Sequence, residues 1–209
     1  MKYSDRAVAT VLFALVAASP APAQEDRWSQ VDENPSRGID WKQAPAPLRE
    51  KFLAFHKSSG LCWDHDGPDW SVPSPKLSVW ELKGGAKAVF QVCNVAGGAR
   101  TVTYIVMIAR SQDLSDARPA RLVHHNSGDR KTVTTSVVTN ASFDRKGGVL
   151  AENEPLDSRG DACQRRHEWK WNGREFALTT IREWRKCDDE WPGADKGRPM
   201  PLIWPKRGG

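Results

Sequence analysis

From Lys76 onward the chain repeats one local theme: a short β-prone run, then a turn marked by glycine. Lys76–Lys83 alternates Leu77, Val79 and Glu81 with Ser78, Trp80 and Leu82, so the two sets face opposite sides of a strand. Gly84-Gly85 then leads into Lys87–Val95, and Gly97-Gly98 into Thr101–Ala109, the most apolar run and the expected central strand. Arg121–His125 and Thr132–Asn140 follow, then Ala141–Asp144 and Val149–Glu152 around Arg145-Lys146-Gly147-Gly148. His167–Trp171 and Glu175–Thr180 flank Asn172-Gly173. Asn-Gly is the strongest short hairpin signal, and a two-residue turn of that kind puts both residues at positive φ. Such spacing implies a mainly β fold: an antiparallel sandwich or a curved, partly closed sheet. No strand–helix alternation and no Gly-x-Gly-x-x-Gly occurs, which disfavours a doubly wound nucleotide fold.

One helix is expected, near the N-terminal end of the body. Leu48, Phe52 and Phe55 in Pro47–Lys57 form a stripe at i, i+4 and i+7. Pro47 suits the first turn, and Ser58-Ser59-Gly60 ends the run. Residues 24–46 are polar and read as an extended arm. Residues 47–205 read as a single β-rich domain and 206–209 as a tail.

The N-terminus carries an address. Lys2 and Arg6 precede the apolar run Ala7–Ala18, and Ser19-Pro20-Ala21-Pro22-Ala23 follows. That is the tripartite pattern of a secretory signal peptide over residues 1–23, cut after Ala23. The expected location is periplasmic or secreted. No apolar run reaches the roughly 18 residues of a membrane-spanning helix. A chain with 39% hydrophobic and 27% charged residues is not a disordered polyampholyte.

Export into an oxidising compartment gives Cys62, Cys93, Cys163 and Cys187 a reading as disulfides. They form no Cys-x-x-Cys and no zinc-type spacing with histidine. Four cysteines allow three pairings. Cys62–Cys93 with Cys163–Cys187 is preferred, because each closes a local loop that contributes roughly 3–4 kcal/mol on the chain-entropy model.

One set of short pieces looks familiar. It runs Ala141-Ser142-Phe143-Asp144, Gly147-Gly148-Val149-Leu150 and Arg159-Gly160-Asp161-Ala162-Cys163, then Trp169 to Leu178 and Cys187. With Val92-Cys93-Asn94 and Tyr104–Ala109 upstream, it resembles the bacterial family catalogued as domain of unknown function 1176, over about Leu77–Pro205. This chain looks like a shortened version, and Asp188-Asp189-Glu190 departs from the basic continuation of that family. The resemblance implies export and a β fold and brings no catalytic residues with it.

Candidate sites are few. Asp64-His65-Asp66-Gly67-Pro68-Asp69 has alternate oxygen ligands, but Pro75 stands where a calcium loop needs a bidentate Glu, so a solvated turn is expected. His124 and His125 are adjacent on a strand, so at most one joins a given site. Surface histidines are expected there, since Gly-x-Ser-x-Gly and His-Glu-x-x-His are absent. Trp169 and Trp171 share a strand face and read as core. Arg165, Arg166, His167, Arg174, Arg182, Arg185 and Lys186 read as a basic, solvated face. Trp184, Arg185, Trp191 and Trp204 form the expected binding surface, aromatic and basic enough to meet a glycan, an anionic polymer or a protein.

These features favour a non-catalytic envelope binding module. Its alternatives are an inhibitor or immunity-type partner of a secreted hydrolase, and a small hydrolase. No catalytic residue, cofactor or metal ligand is assigned. A monomer without a nucleic-acid partner is expected.

Overall fold

The structure, a computed structural model, describes residues 28–33, 35–59, 76–96, 101–125, 131–156, 163–185 and 200–205. The elements begin with β1 (Ser29–Gln30), β2 (Arg37–Asp40), a 3-10 turn (Trp41–Gln43) and α1 (Ala46–Ser59). Then come β3 (Lys76–Glu81), β4 (Lys87–Ala96), β5 (Thr101–Ala109), β6 (Arg118–Pro119), β7 (Leu122–His125), β8 (Thr132–Thr135) and β9 (Val137–Thr139). Last are β10 (Ser142–Asp144), β11 (Val149–Pro155), β12 (Gln164–Trp171), β13 (Phe176–Trp184) and β14 (Leu202–Trp204). No helix among the described residues is long and apolar enough to cross a membrane.

The mainly β, antiparallel expectation holds. One sheet runs β1-β10-β11-β12-β13-β14 and the other β2-β3-β4-β5-β6, with β9 also on β5. A two-stranded ribbon, β7-β8, joins neither ladder. The first core draws on both large sheets: Trp80, Phe90 and Val106 from one, Phe143, Trp169 and Phe176 from the other. The second lies on the opposite face of β3–β5, where Leu48 and Phe52 of α1 meet Leu77, Val79, Val89, Ile105 and Met107. Burial on both faces is why β5 reads as a nearly unbroken apolar run. It is interior, as expected, between β4 and the β6 and β9 partners.

Several details differ from the sequence reading. The 24–46 stretch is not a free arm in its described part: β1 pairs with β10 and β2 with β3. Val31 is buried there, and its carbonyl accepts 2.8 Å from Trp80 Nε1. The run 132–140 is two strands, not one. It breaks at Ser136, whose Oγ donates 2.6 Å to Ala120 O, so β8 goes to the ribbon and β9 to β5. The helix buries His56 beside Leu48 and Phe52, leaving Phe55 at the edge of the cluster. Residues 202–204, read as part of a Pro/Gly-rich end, form the edge strand β14.

Gly84 and Gly85 both take positive φ in the β3–β4 turn, as the glycine pair requires. The Asn172-Gly173 hairpin forms, but only Gly173 has positive φ, +96°. The loop is wider than two residues: Asn172 N donates to Glu175 O at 3.1 Å, and Trp171 pairs with Phe176. Asn172 serves instead as an acceptor, its Oδ1 taking the amides of Arg174 and Glu175 at 2.9 Å each.

Candidate metal centre

The inner face of β12 alternates Arg165, His167, Trp169 and Trp171, all buried. Trp169 and Trp171 are core residues, as expected. Arg165 and His167 are not part of a solvated face: strand alternation turns them inward with the tryptophans. Opposite His167 in the ladder stands Glu152 of β11, two residues beyond the core residue Leu150 and on the same face.

The ribbon completes the group. Leu122 and His124 share one face of β7, and Leu122 is fully buried. Val123 O accepts 2.9 Å from Trp169 Nε1, and His125 O accepts 3.4 Å from Arg165 Nη1. These contacts set the His124 ring against His167, with centroids 4.5 Å apart, and against Trp169 at 5.1 Å. His124 is therefore not a surface histidine; its side chain is 15% exposed. His125, the next residue on the strand, presents its carbonyl to Arg165 Nη1, and its ring is not among the converging ligands.

Three ligating atoms converge. Glu152 Oε2 lies 3.2 Å from His124 Nε2 and 3.4 Å from His167 Nδ1. The ligating atoms of the three residues all lie within 4.8 Å of one another. All three atoms are buried, and the geometry places none of them in a hydrogen bond. The other carboxylate oxygen is held in place: Thr139 N of β9 donates 2.7 Å to Glu152 Oε1.

Burial sets the charge states. It pushes Glu152 up to about 7, against the pull of His124 and the Thr139 amide. It lowers His167 to about 4 and moves His124 downward too, outweighing the attraction of Glu152 in the latter. Both imidazoles are thus neutral near pH 7, the form that ligates a metal. A tetrahedral ion with bonds of roughly 2.0–2.1 Å spaces its ligand atoms about 3.3–3.4 Å apart. The two imidazole-to-carboxylate distances match that edge.

Nothing in local sequence joins these residues, and no motif spacing links them. A signal was nonetheless present: Glu152 and His167 each stand two residues from a core position on a strand, which puts a polar side chain on the buried face.

The expected binding surface is only partly assembled. Trp184 is half-buried and paired opposite Gln164, whereas Trp204 is 37% exposed on the edge strand opposite Ile181. Arg185 is exposed and bridges to Glu183. Trp191, Lys186 and the Asp64–Asp69 segment lie outside the described residues, as do Cys62 and Cys187. Cys93 and Cys163 are both buried, and no described cysteine is free.

No family model matches the chain, and neither a curated protein nor a solved structure matches it.

Proposed function

We propose that the chain is an exported, non-catalytic β module that binds one divalent transition-metal ion through His124, Glu152 and His167. The observation that carries this reading is the meeting of two imidazole nitrogens and one carboxylate oxygen in the core, none of them hydrogen-bonded. A buried polar atom without a partner costs about 1–3 kcal/mol. A shared cation satisfies all three at once. Two nitrogens and one oxygen suit zinc, cobalt, nickel or iron(II), and not calcium or magnesium, which take oxygen ligands. Binding rather than turnover is favoured because the three side chains are shielded: 15%, 3% and 0% exposed.

Export with cleavage after Ala23 belongs to the same proposal, on the strength of the tripartite N-terminus. So does bracing by Cys62–Cys93 and Cys163–Cys187. That bracing is supported by the even number of cysteines and by Cys93 and Cys163 both being buried, with no described cysteine free. Kinship with the domain of unknown function 1176 family is proposed on the residues quoted above.

The test is a metal titration. Oxidised protein is stripped with a chelator and titrated with Zn²⁺ by calorimetry, and with Co²⁺ by visible absorption. One ion per chain is expected, and His124→Ala and His167→Ala each weaken uptake at least about ten-fold. No uptake, or uptake unchanged in both variants, overturns the reading.

A further inference from the structure

We propose that the metal acts as a clasp: it holds the β7–β8 ribbon on the β11–β12 face, with His124 as the less anchored jaw. This rests on the metal-binding reading above and adds to it a mechanical consequence.

The ligands are unequally anchored. Glu152 and His167 are cross-strand partners on β11 and β12, each of which is paired on both sides within the six-stranded sheet. Thr139 N fixes the Glu152 carboxylate from a third direction. That half of the site is preorganised. His124 instead comes from β7, whose one ladder partner among the described residues is β8.

A two-stranded ribbon is marginally stable by itself. Leu122 plugs its base into the first core. Farther out among the described residues, the ties to the sheet include one indole hydrogen bond, Trp169 Nε1 to Val123 O at 2.9 Å, one long guanidinium bond, Arg165 Nη1 to His125 O at 3.4 Å, the approach of the His167 ring to the His125 backbone, and packing of β7 against β13. The other strand looks outward: Thr132, Val133 and Thr134 are exposed, Val133 by half.

With the ribbon docked, Glu152 Oε2 already lies 3.2 Å from His124 Nε2 and 3.4 Å from His167 Nδ1, close to the tetrahedral edge of about 3.4 Å, so a bound ion holds the ribbon in this position. A metal bond from His124 to the sheet adds a cross-link beyond the hydrogen bonds and packing that seat the ribbon. Metal affinity becomes local folding stability at the ribbon.

Amide hydrogen exchange of the full, oxidised chain, with and without Zn²⁺, tests this. The amides of 122–125 and 132–135 are expected to exchange at least about ten-fold more slowly with Zn²⁺, with β4 and β5 amides unchanged. His124→Ala removes the slowing, and its β4 and β5 exchange reports whether the variant is folded. If calorimetry shows one ion per chain but ribbon exchange is unchanged, or every strand slows alike, the clasp is overturned and the metal-binding reading stands. Slowing that persists in His124→Ala also overturns the clasp. If no ion is taken up, both fall together.

Discussion

His167 Nδ1 lies 3.4 Å from Glu152 Oε2, and the two residues are directly opposed in the β11–β12 ladder. Their contact is set by strand register, not by local sequence. A one-residue slip of either strand would turn its own side chain to the opposite face and separate the pair. The tryptophans that hold the register, Trp169 and Trp171, are therefore also what holds the site.

Arg165 extends the same buried face and invites a stability test. Its guanidinium donates to Glu183 at 3.0 Å, Glu154 at 3.3 Å and His125 O at 3.4 Å. Glu183 is itself buried. Arg165→Met is expected to cost about 3 kcal/mol in urea denaturation, because it strands a buried carboxylate. Adding Glu183→Gln should recover part of that loss. A single variant within about 0.5 kcal/mol of the parent would mean that Arg185 alone satisfies Glu183.

The β12–β13 turn gives a backbone test. A Cβ on Gly173 would meet no atom within 4 Å, so the cost of Gly173→Ala lies in its φ of +96° alone. About 1 kcal/mol is expected from thermal melts. Asn172→Ala should cost a similar amount by releasing two amides. If only the glycine variant is destabilised, the Asn172 acceptor role is wrong.

How far the sequence is legible depends on the range of the cause. The β3–β4 turn, the alternation of Leu77 and Val79 against Trp80, and the apolar interior strand β5 follow from periodicity and glycine placement, which are local. The split at Ser136 does not, because it depends on a hydrogen bond to Ala120 in another segment. The candidate metal site is less legible still. His124, Glu152 and His167 come from three strands, and His124 meets the others only because the ribbon folds across the sheet. His167 read as part of a basic run because Arg165 and Arg166 precede it. Only the alternation with Trp169 marks it as buried.

His56 predicts a pH dependence. It is buried, with Nε2 3.3 Å from Gln91 Oε1, and burial outweighs that bond to lower its pKa from 6.5 to about 4. Between those values the unfolded chain holds a proton that the folded chain lacks. Its stability contribution is therefore full above about pH 6.5 and is lost as pH falls toward 4. His167, also lowered to about 4, acts in the same direction. Glu152 acts oppositely: raised from 4.5 to about 7, it favours the metal-free fold below about pH 4.5 and loses that contribution as pH rises through 7. His56→Gln should make the acid slope of stability shallower by up to about 1.4 kcal/mol per pH unit, one proton's worth. An unchanged slope in pH-dependent melts would show that His56 is protonated in the folded chain.

Trp169 offers a direct optical report on the site. Its ring lies 5.4 Å from His167 at 16° and 5.1 Å from His124, so it forms a wall of the cluster. An ion with a partly filled d shell bound by those imidazoles quenches a neighbouring indole, whereas Zn²⁺ with its filled shell does not. Ni²⁺ is therefore expected to lower the fluorescence of the metal-free protein by a fraction, since the chain carries ten tryptophans. Trp169→Phe keeps an aromatic wall but loses the hydrogen bond to Val123 O, and should cost about 1–3 kcal/mol. In that variant calorimetry should still show one ion per chain, while most of the quenching disappears. Equal quenching in the variant and the parent would place the ion elsewhere on the chain. Lost quenching with lost uptake would instead assign Trp169 to holding the ribbon in position for His124.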